Sequence, residues 1–328
     1  MTRAPNLTRR RLCAGLLCSL PLGGAWAQLR YPERPVRVVV PYSVGVGPDV
    51  VARSVAERLT RQWGQPVVVD NRPGASGIVA FAEVRKVTPD GYTLFVADTA
   101  TMVVNPLLNA QLPYDPARDL APLSLLFRAT FVILVGSESR FRSAGAMLDA
   151  ARRDPGSVSY GSLGNGHASH VAIESMARAA DVRMLHVPFK EAGALMTAVA
   201  NNDVDIMVFG MNTVAGMLAR GKVRPLAVAA SARLKDHPEL PTLAEAGGPA
   251  VEMHPWAALV AVAGTPKPVL DRLQRDIVAA LGSPDVRTRV EAAGFELTPS
   301  SPQELLQRID ADVALYAPLV REGRIAPL

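Results

Sequence analysis

Two stretches of this chain bring together residues able to hold an anion. One is Val38-Val39-Val40-Pro41-Tyr42-Ser43-Val44-Gly45-Val46-Gly47-Pro48-Asp49, and the other is Ser159-Tyr160-Gly161-Ser162-Leu163-Gly164-Asn165-Gly166-His167-Ala168-Ser169-His170. In each, an apolar run ends in a glycine-rich turn that opens an amphipathic stretch. Glycine lets backbone approach a ligand, and the unpaired N–H groups of a first helical turn, with the helix dipole, favour a carboxylate or phosphate. Taken singly, each stretch reads at least as well as a tight strand-to-helix turn in which glycine supplies a positive φ.

Other chemistries find less support. Gly45-Val46-Gly47 runs on to Val50 where a dinucleotide fingerprint needs a third glycine, and no Gly-Lys-Ser/Thr phosphate loop occurs. Tyr160 stands where a nucleophile elbow centred on Ser162 needs glycine. An exported ester hydrolase using Ser43 or Ser162 with His170 is the competing enzymatic reading, but no triad can be traced. His167, His170 and Glu174 lack metal-site spacing, and His186, His237 and His254 are isolated, so neither metal nor cofactor is expected. Lys190 is either a solvated loop charge or a cation facing an acidic ligand.

The elements that must position these residues are legible as short β-branched runs alternating with amphipathic stretches, the pattern of an α/β fold. Strands are expected at Val36 to Val40, Pro66 to Val69, Tyr92 to Ala97, Phe131 to Val135, Val158 to Gly161, Met184 to Pro188, Val204 to Phe209, Pro225 to Ala230 and Ala257 to Val262. Their unbroken apolar character predicts burial on both faces of a largely parallel sheet. Helices are expected at Asp49 to Trp63, where Val51, Val55, Leu59 and Trp63 recur every fourth residue before Gly64. Others are expected near Ser143 to Arg153, Ser169 to Ala180, Ala192 to Asn201, Val269 to Leu281 and Pro302 to Val320. No Gly/Ser- or Pro-rich linker separates two halves, so the lobes are expected to be joined by crossing strands that pattern alone does not locate.

The N-terminus sets the compartment. Thr8-Arg9-Arg10-Arg11, the apolar run Leu12 to Leu22 and Ala25-Trp26-Ala27 form the three regions of an export signal covering residues 1–27, by the Sec or the twin-arginine route. Of 328 residues, 301 then remain, about two ordinary domains. Both cysteines, Cys13 and Cys18, fall in the signal, which leaves no disulfide or thiolate chemistry. The formal net charge of +5 drops to +1 once Arg3, Arg9, Arg10 and Arg11 are set aside. Such a surface has no electrostatic footprint for nucleic acid.

With these residues in view, the chain resembles the substrate-binding proteins of tripartite tricarboxylate transporters, the Bug or TctC family. The resemblance rests on Tyr31-Pro32-Glu33-Arg34-Pro35-Val36, Val40-Pro41-Tyr42 leading to Asp49, Val68-Val69-Asp70-Asn71-Arg72-Pro73-Gly74-Ala75, and Pro89-Asp90-Gly91-Tyr92-Thr93-Leu94. It continues through Asn105-Pro106, Leu112-Pro113-Tyr114-Asp115-Pro116, Gly164-Asn165-Gly166 with Ser169-His170, His186-Val187-Pro188-Phe189-Lys190, and Pro241-Thr242-Leu243-Ala244-Glu245-Ala246-Gly247.

The resemblance implies a monomeric periplasmic binding protein of type II, a Venus flytrap whose two α/β lobes each hold a mostly parallel sheet flanked by helices. Lobe 1 would be residues 28–126 plus 252–328, and lobe 2 residues 127–251. It implies a non-enzymatic receptor that passes a small carboxylate to large and small membrane transporter subunits, or signals the ligand to a membrane partner. The first cradle would be Tyr42, Ser43, Gly45, Val46, Gly47 and Asp49 with Thr99 and Thr101. The second would be Ser162, Gly164, Asn165, Gly166, Ser169 and His170 with Phe189 and Lys190. Asp49 is equally read as a helix cap.

Three departures from the family pattern bear on the ligand. Val46 interrupts the usual consecutive glycines, Phe189-Lys190-Glu191 replaces Tyr-Lys-Gly, and Phe209 stands for the common Asp, followed by Gly210-Met211-Asn212-Thr213 in place of Asn-Leu-Pro-Ser. A cleft with Phe189 and Phe209 is expected to favour a carboxylate with an apolar or aromatic body over citrate or an amino acid.

Overall fold

Alternation along the apolar runs explains the layers of the fold. In the computed structural model, which describes Met1 and residues 31–109 and 111–326, Val36, Val38 and Val40 enter one core cluster while Val39 enters another on the opposite face. Ile133 and Val135 likewise part from Val132 and Leu134. A strand covered on both faces needs no polar side, and so these runs read as continuously apolar. The expectation fails for Val67–Asn71 and Leu185–Pro188, which lie at sheet edges and leave Val68 and Leu185 exposed. The export signal expected at residues 1–27 lies outside the described residues.

Eleven strands among the described residues are β1 (Val36–Val40), β2 (Val67–Asn71), β3 (Thr93–Asp98), β4 (Leu120–Arg128), β5 (Val132–Gly136), β6 (Ser159–Ser162), β7 (Leu185–Pro188), β8 (Ile206–Phe209), β9 (Val223–Val228), β10 (Trp256–Val262) and β11 (Glu296–Leu297). They build one sheet in the order β11-β4-β10-β3-β1-β2 and a second in the order β7-β6-β8-β5-β9, each flanked by helices.

The largely parallel arrangement expected from the sequence needs correction, because both sheets are mixed. β1 runs parallel to β2 and β3, and β6 to β7 and β8. β10 is antiparallel to β3 and β4, β11 to β4, and β5 to β8 and β9. The reason is the chain's path. It leaves the first sheet along β4, enters the second along β5, leaves along β9 and returns along β10, so outgoing and returning strands lie side by side with opposite sense. The crossing segments bond to each other: Ala129 N–H donates to Pro255 O at 2.8 Å and Phe131 N–H to Met253 O at 3.1 Å.

β4 escaped the sequence reading because Pro122 and Ser124 interrupt its pattern. Pro is tolerated there since the β4–β10 pairing shifts register between Leu259 and Val260. The helices follow their periodicity. Gly47–Trp63 buries Val51, Val55 and Leu59 and stops at Gly64, whose φ of +66° is the left-handed region that glycine tolerates. Pro302–Arg321 opens with a Ser301/Glu304 capping box. Among the described residues no helix is long and apolar enough to cross a membrane.

Candidate functional site

Both glycine turns stand at the C-terminal ends of strands, β1 and β6, where α/β sheets gather their ligands. Between the sheets lies a cleft of about 500 Å³. Tyr42, Ser43, Val46 and Gly47 line it from the first turn, and Leu163, His167 and Ala168 from the second. Ala129, Phe131, Pro255 and Trp256, on or beside the crossing segments, also line it, and Phe127, Phe209 and Phe295 add aromatic wall.

The first turn is held from within by Asp49. Its buried carboxylate accepts the Gly45 N–H at 2.8 Å, the Asn71 amide at 2.8 Å and the Arg53 guanidinium at 3.0 Å. Burial alone would raise its pKa, and these donors, Arg53 first, hold it below the usual carboxylate value. Asp49 therefore positions the turn and does not line the cleft. Val46 N–H donates to Ser43 O at 3.3 Å, Asp49 N–H to Val46 O at 2.8 Å, and Pro48 has no N–H. Of the turn residues that line the cleft, Tyr42, Ser43 and Gly47 have N–H groups with no backbone partner among the described residues. A Cβ on Gly47 would come within 2.2 Å of the Phe295 ring, which explains glycine at that position.

The second turn is more fully satisfied. Leu163 N–H donates to Ser169 Oγ at 3.2 Å, Gly164 N–H to Ser162 Oγ at 3.2 Å and Gly166 N–H to His170 Nδ1 at 3.1 Å. Gly166, with φ of +72°, faces Leu108 and Val104, and the Asn165 amide donates to Ala326 O at 3.0 Å. Ser162, Gly164, Asn165, Gly166, Ser169 and His170 thus form the support behind the wall, and Leu163, His167 and Ala168, the last at the helix start, reach the cleft. Thr101 is fully buried on Asp98, while Thr99 is buried with a hydroxyl that has no partner among the described residues. Phe189, half-buried, packs against the second sheet's core, and Lys190 and Glu191 lie exposed at the cleft.

The Ser162–His170 pair of the hydrolase reading is not formed. Ser162 Oγ lies 2.6 Å from His186 Nε2 instead, and Ser162 has no exposed surface. His186 stacks on His170 at 3.9 Å with planes 7° apart. Burial, then the neighbouring histidines, pushes His170 down to about 3 and keeps its Nδ1 an acceptor for Gly166. Burial also pushes His167 down to about 4, and its Nδ1 accepts the Ser169 N–H. Among the described residues no cluster of three metal-type side chains occurs.

Sequence reasoning missed Phe127, Phe131, Trp256 and Phe295, because only the crossing path brings them together. It also missed Asp98, for which Asp98-Thr99-Ala100-Thr101, a side-chain cap on the next turn, was an available signal.

A two-sheet α/β molecule with a cleft between glycine turns and crossing strands is the architecture of a bilobal solute receptor. Residues 51–324 match the tripartite tricarboxylate transporter family receptor TctC, and the chain belongs to that family. It is 32% identical over 323 residues to the UPF0065 protein in the tcbD-tcbE intergenic region of Pseudomonas sp. (strain P51), covering 98% of this chain and 96% of that one. Among solved structures it is similar to R. palustris Rpa4515 with adipate, with a TM-score of 0.82 and 31% identity, covering 91% of this chain and 100% of that one. It is similar also to the periplasmic binding protein BugD, with a TM-score of 0.78 and 29% identity, covering 90% and 99%.

Proposed function

We propose that this protein is a periplasmic receptor that captures a small organic acid between its lobes and hands it to a tripartite tricarboxylate-type transporter in the membrane. The observation that carries this reading is the pairing, in one cleft, of glycine-turn N–H groups with an aromatic wall. The N–H groups of Ser43 and Gly47, the helix start at Ala168 and the Lys190 ammonium supply donors for a carboxylate. Phe131, Phe209 and Phe295 supply an apolar surface for the remainder of the ligand. Adipate, bound by a relative, has this character: a methylene chain between carboxylates. A ligand as polar as citrate would leave acceptors unpaired against those rings. The lobes are proposed to divide near residues 127 and 252, so that closure turns on the crossing segments.

A thermal-shift screen of mono- and dicarboxylates, aromatic acids and amino acids tests the reading, since a ligand bound only by the native state raises the unfolding midpoint. Shifts confined to acids with an apolar body, weakened by Lys190→Glu, are expected. No shift with any acid, and no small molecule released on denaturing the purified protein, would overturn it. Uptake of the identified acid by cells with and without the gene tests the transport role, and cell fractionation the periplasmic location.

A further inference from the structure

One polar feature of the cleft is not used by the carboxylate reading. Asp98, at the end of β3, lines the cleft and is 6% exposed. Its Oδ1 accepts the Thr101 N–H at 2.7 Å and the Thr101 hydroxyl at 2.8 Å, and its Oδ2 accepts the Tyr42 hydroxyl. The Ala100 N–H adds a further bond to the carboxylate. Among the described residues the bonds that reach it come from Tyr42, Thr101 and Ala100, all of them neutral groups.

The consequence falls on Tyr42. A phenol has one proton, and here it is committed to Asp98. Tyr42 and Asp98 both line the cleft, so the Tyr42 oxygen can offer a ligand lone pairs only, beside a buried carboxylate bonded by neutral groups. A ligand acceptor at that point meets lone pairs and like charge, whereas a ligand donor finds an unfilled acceptor. The first turn and Lys190 make the opposite demand, because they offer donors to an anion.

We propose that the Tyr42–Asp98 pair is a donor-selecting subsite, favouring an acid that carries a hydroxyl or ammonium group close to its carboxylate over the congener without one. The inference rests on the carboxylate reading and adds a second chemical requirement to the ligand. A site built around a buried hydrogen-bonding group discriminates strongly against an analogue that leaves the group unpaired. Burial raises the pKa of both partners, which agrees with a carboxylate bonded by neutral groups.

Calorimetric dissociation constants for two matched trios test it: succinate, malate and aspartate, and 3-phenylpropanoate, 3-phenyllactate and phenylalanine. The donor-bearing members of at least one trio are expected to bind roughly tenfold or more tighter than the plain acid. Asp98→Ala frees the Tyr42 proton and Tyr42→Phe removes the oxygen, so either variant should bring the ratio toward one. The hydroxyl and ammonium arms show which donor is preferred. Equal affinities within each trio, or a ratio unchanged in the variants, would overturn the inference and spare the carboxylate reading. So would failure of both trios while another acid binds. If no acid binds at all, both fall. Ligand-free unfolding midpoints separate lost selectivity from lost fold, and Tyr42→Phe, which keeps the ring, carries the comparison if Asp98→Ala does not fold.

Discussion

Asn212, in the turn after β8, lies directly against Gly294, in the loop after the Pro284–Ala292 helix, so that the two sheets' loops touch at the rim of the cleft. A Cβ on Gly294 would stand 2.7 Å from the Asn212 Cβ, and Gly294 has φ of +85°. The Asn212 amide faces Glu291 O at 3.5 Å and Ala292 O at 3.4 Å, the exposed end of that helix. Gly294→Ala is expected to cost about 1–2 kcal/mol through backbone strain alone. It should also part the loops, which would appear as a larger radius of gyration by solution scattering. An unchanged midpoint and radius would show that the contact is incidental.

Gly47→Ala separates ligand binding from stability. The added methyl meets the Phe295 ring at 2.2 Å and 2.5 Å, and the backbone of Gly47 is ordinary, so the ring is the part that must move. Because Phe295 and Gly47 both line the cleft, calorimetry should show ligand affinity reduced by about tenfold or more. The unfolding midpoint should fall little.

Phe209 tests the apolar half of the site. It is 8% exposed and packs with Val132, Leu134 and Val214. Phe209→Leu keeps an apolar group and is expected to cost about 1 kcal/mol of stability. Removing the ring should weaken an aromatic acid roughly three- to tenfold relative to an aliphatic one. Equal losses for both acids would place Phe209 outside the ligand's reach.

Acid should weaken the protein through His170. In the folded state this imidazole is held down to about 3, while in the unfolded chain it titrates near about 6.5. Below that higher value the unfolded state binds a proton that the folded state does not, so stability is complete above about pH 6.5 and declines as pH falls toward about 3. The slope from one such group is about 1.4 kcal/mol per pH unit. His170→Asn, which retains an acceptor for the Gly166 N–H, should flatten the fall of unfolding midpoint between about pH 6 and 4 relative to the parent. Parallel profiles would assign the acid sensitivity to other groups.

How much could be read in advance depended on how local the signal was. The Gly47–Trp63 helix was legible from Val51, Val55, Leu59 and the Gly64 stop, and each expected strand has a counterpart within a few residues. β4 was not, because Pro122 breaks its alternation and a register shift in its pairing with β10 accommodates the break. Among site residues, Tyr42, Ser43, Val46, Gly47, Lys190 and Phe209 line the cleft, but Thr101, Ser162 and Asn165 turn their polar groups to Asp98, His186 and Ala326. A side chain's type tells what it can bond; its partner depends on which element lies opposite.

The sequence by itself determined the α/β class, the two glycine turns at strand ends and the family, since periodicity, turn chemistry and ordered motifs are written in contiguous residues. Tertiary structure alone decided the mixed sheets and the aromatic wall that gathers Phe131, Phe209 and Phe295. It also decided the commitment of the Tyr42 proton to Asp98, 56 positions away. These are facts of chain path: β4 to β5 and β9 to β10 cross side by side, and no local pattern encodes which distant strands will do so.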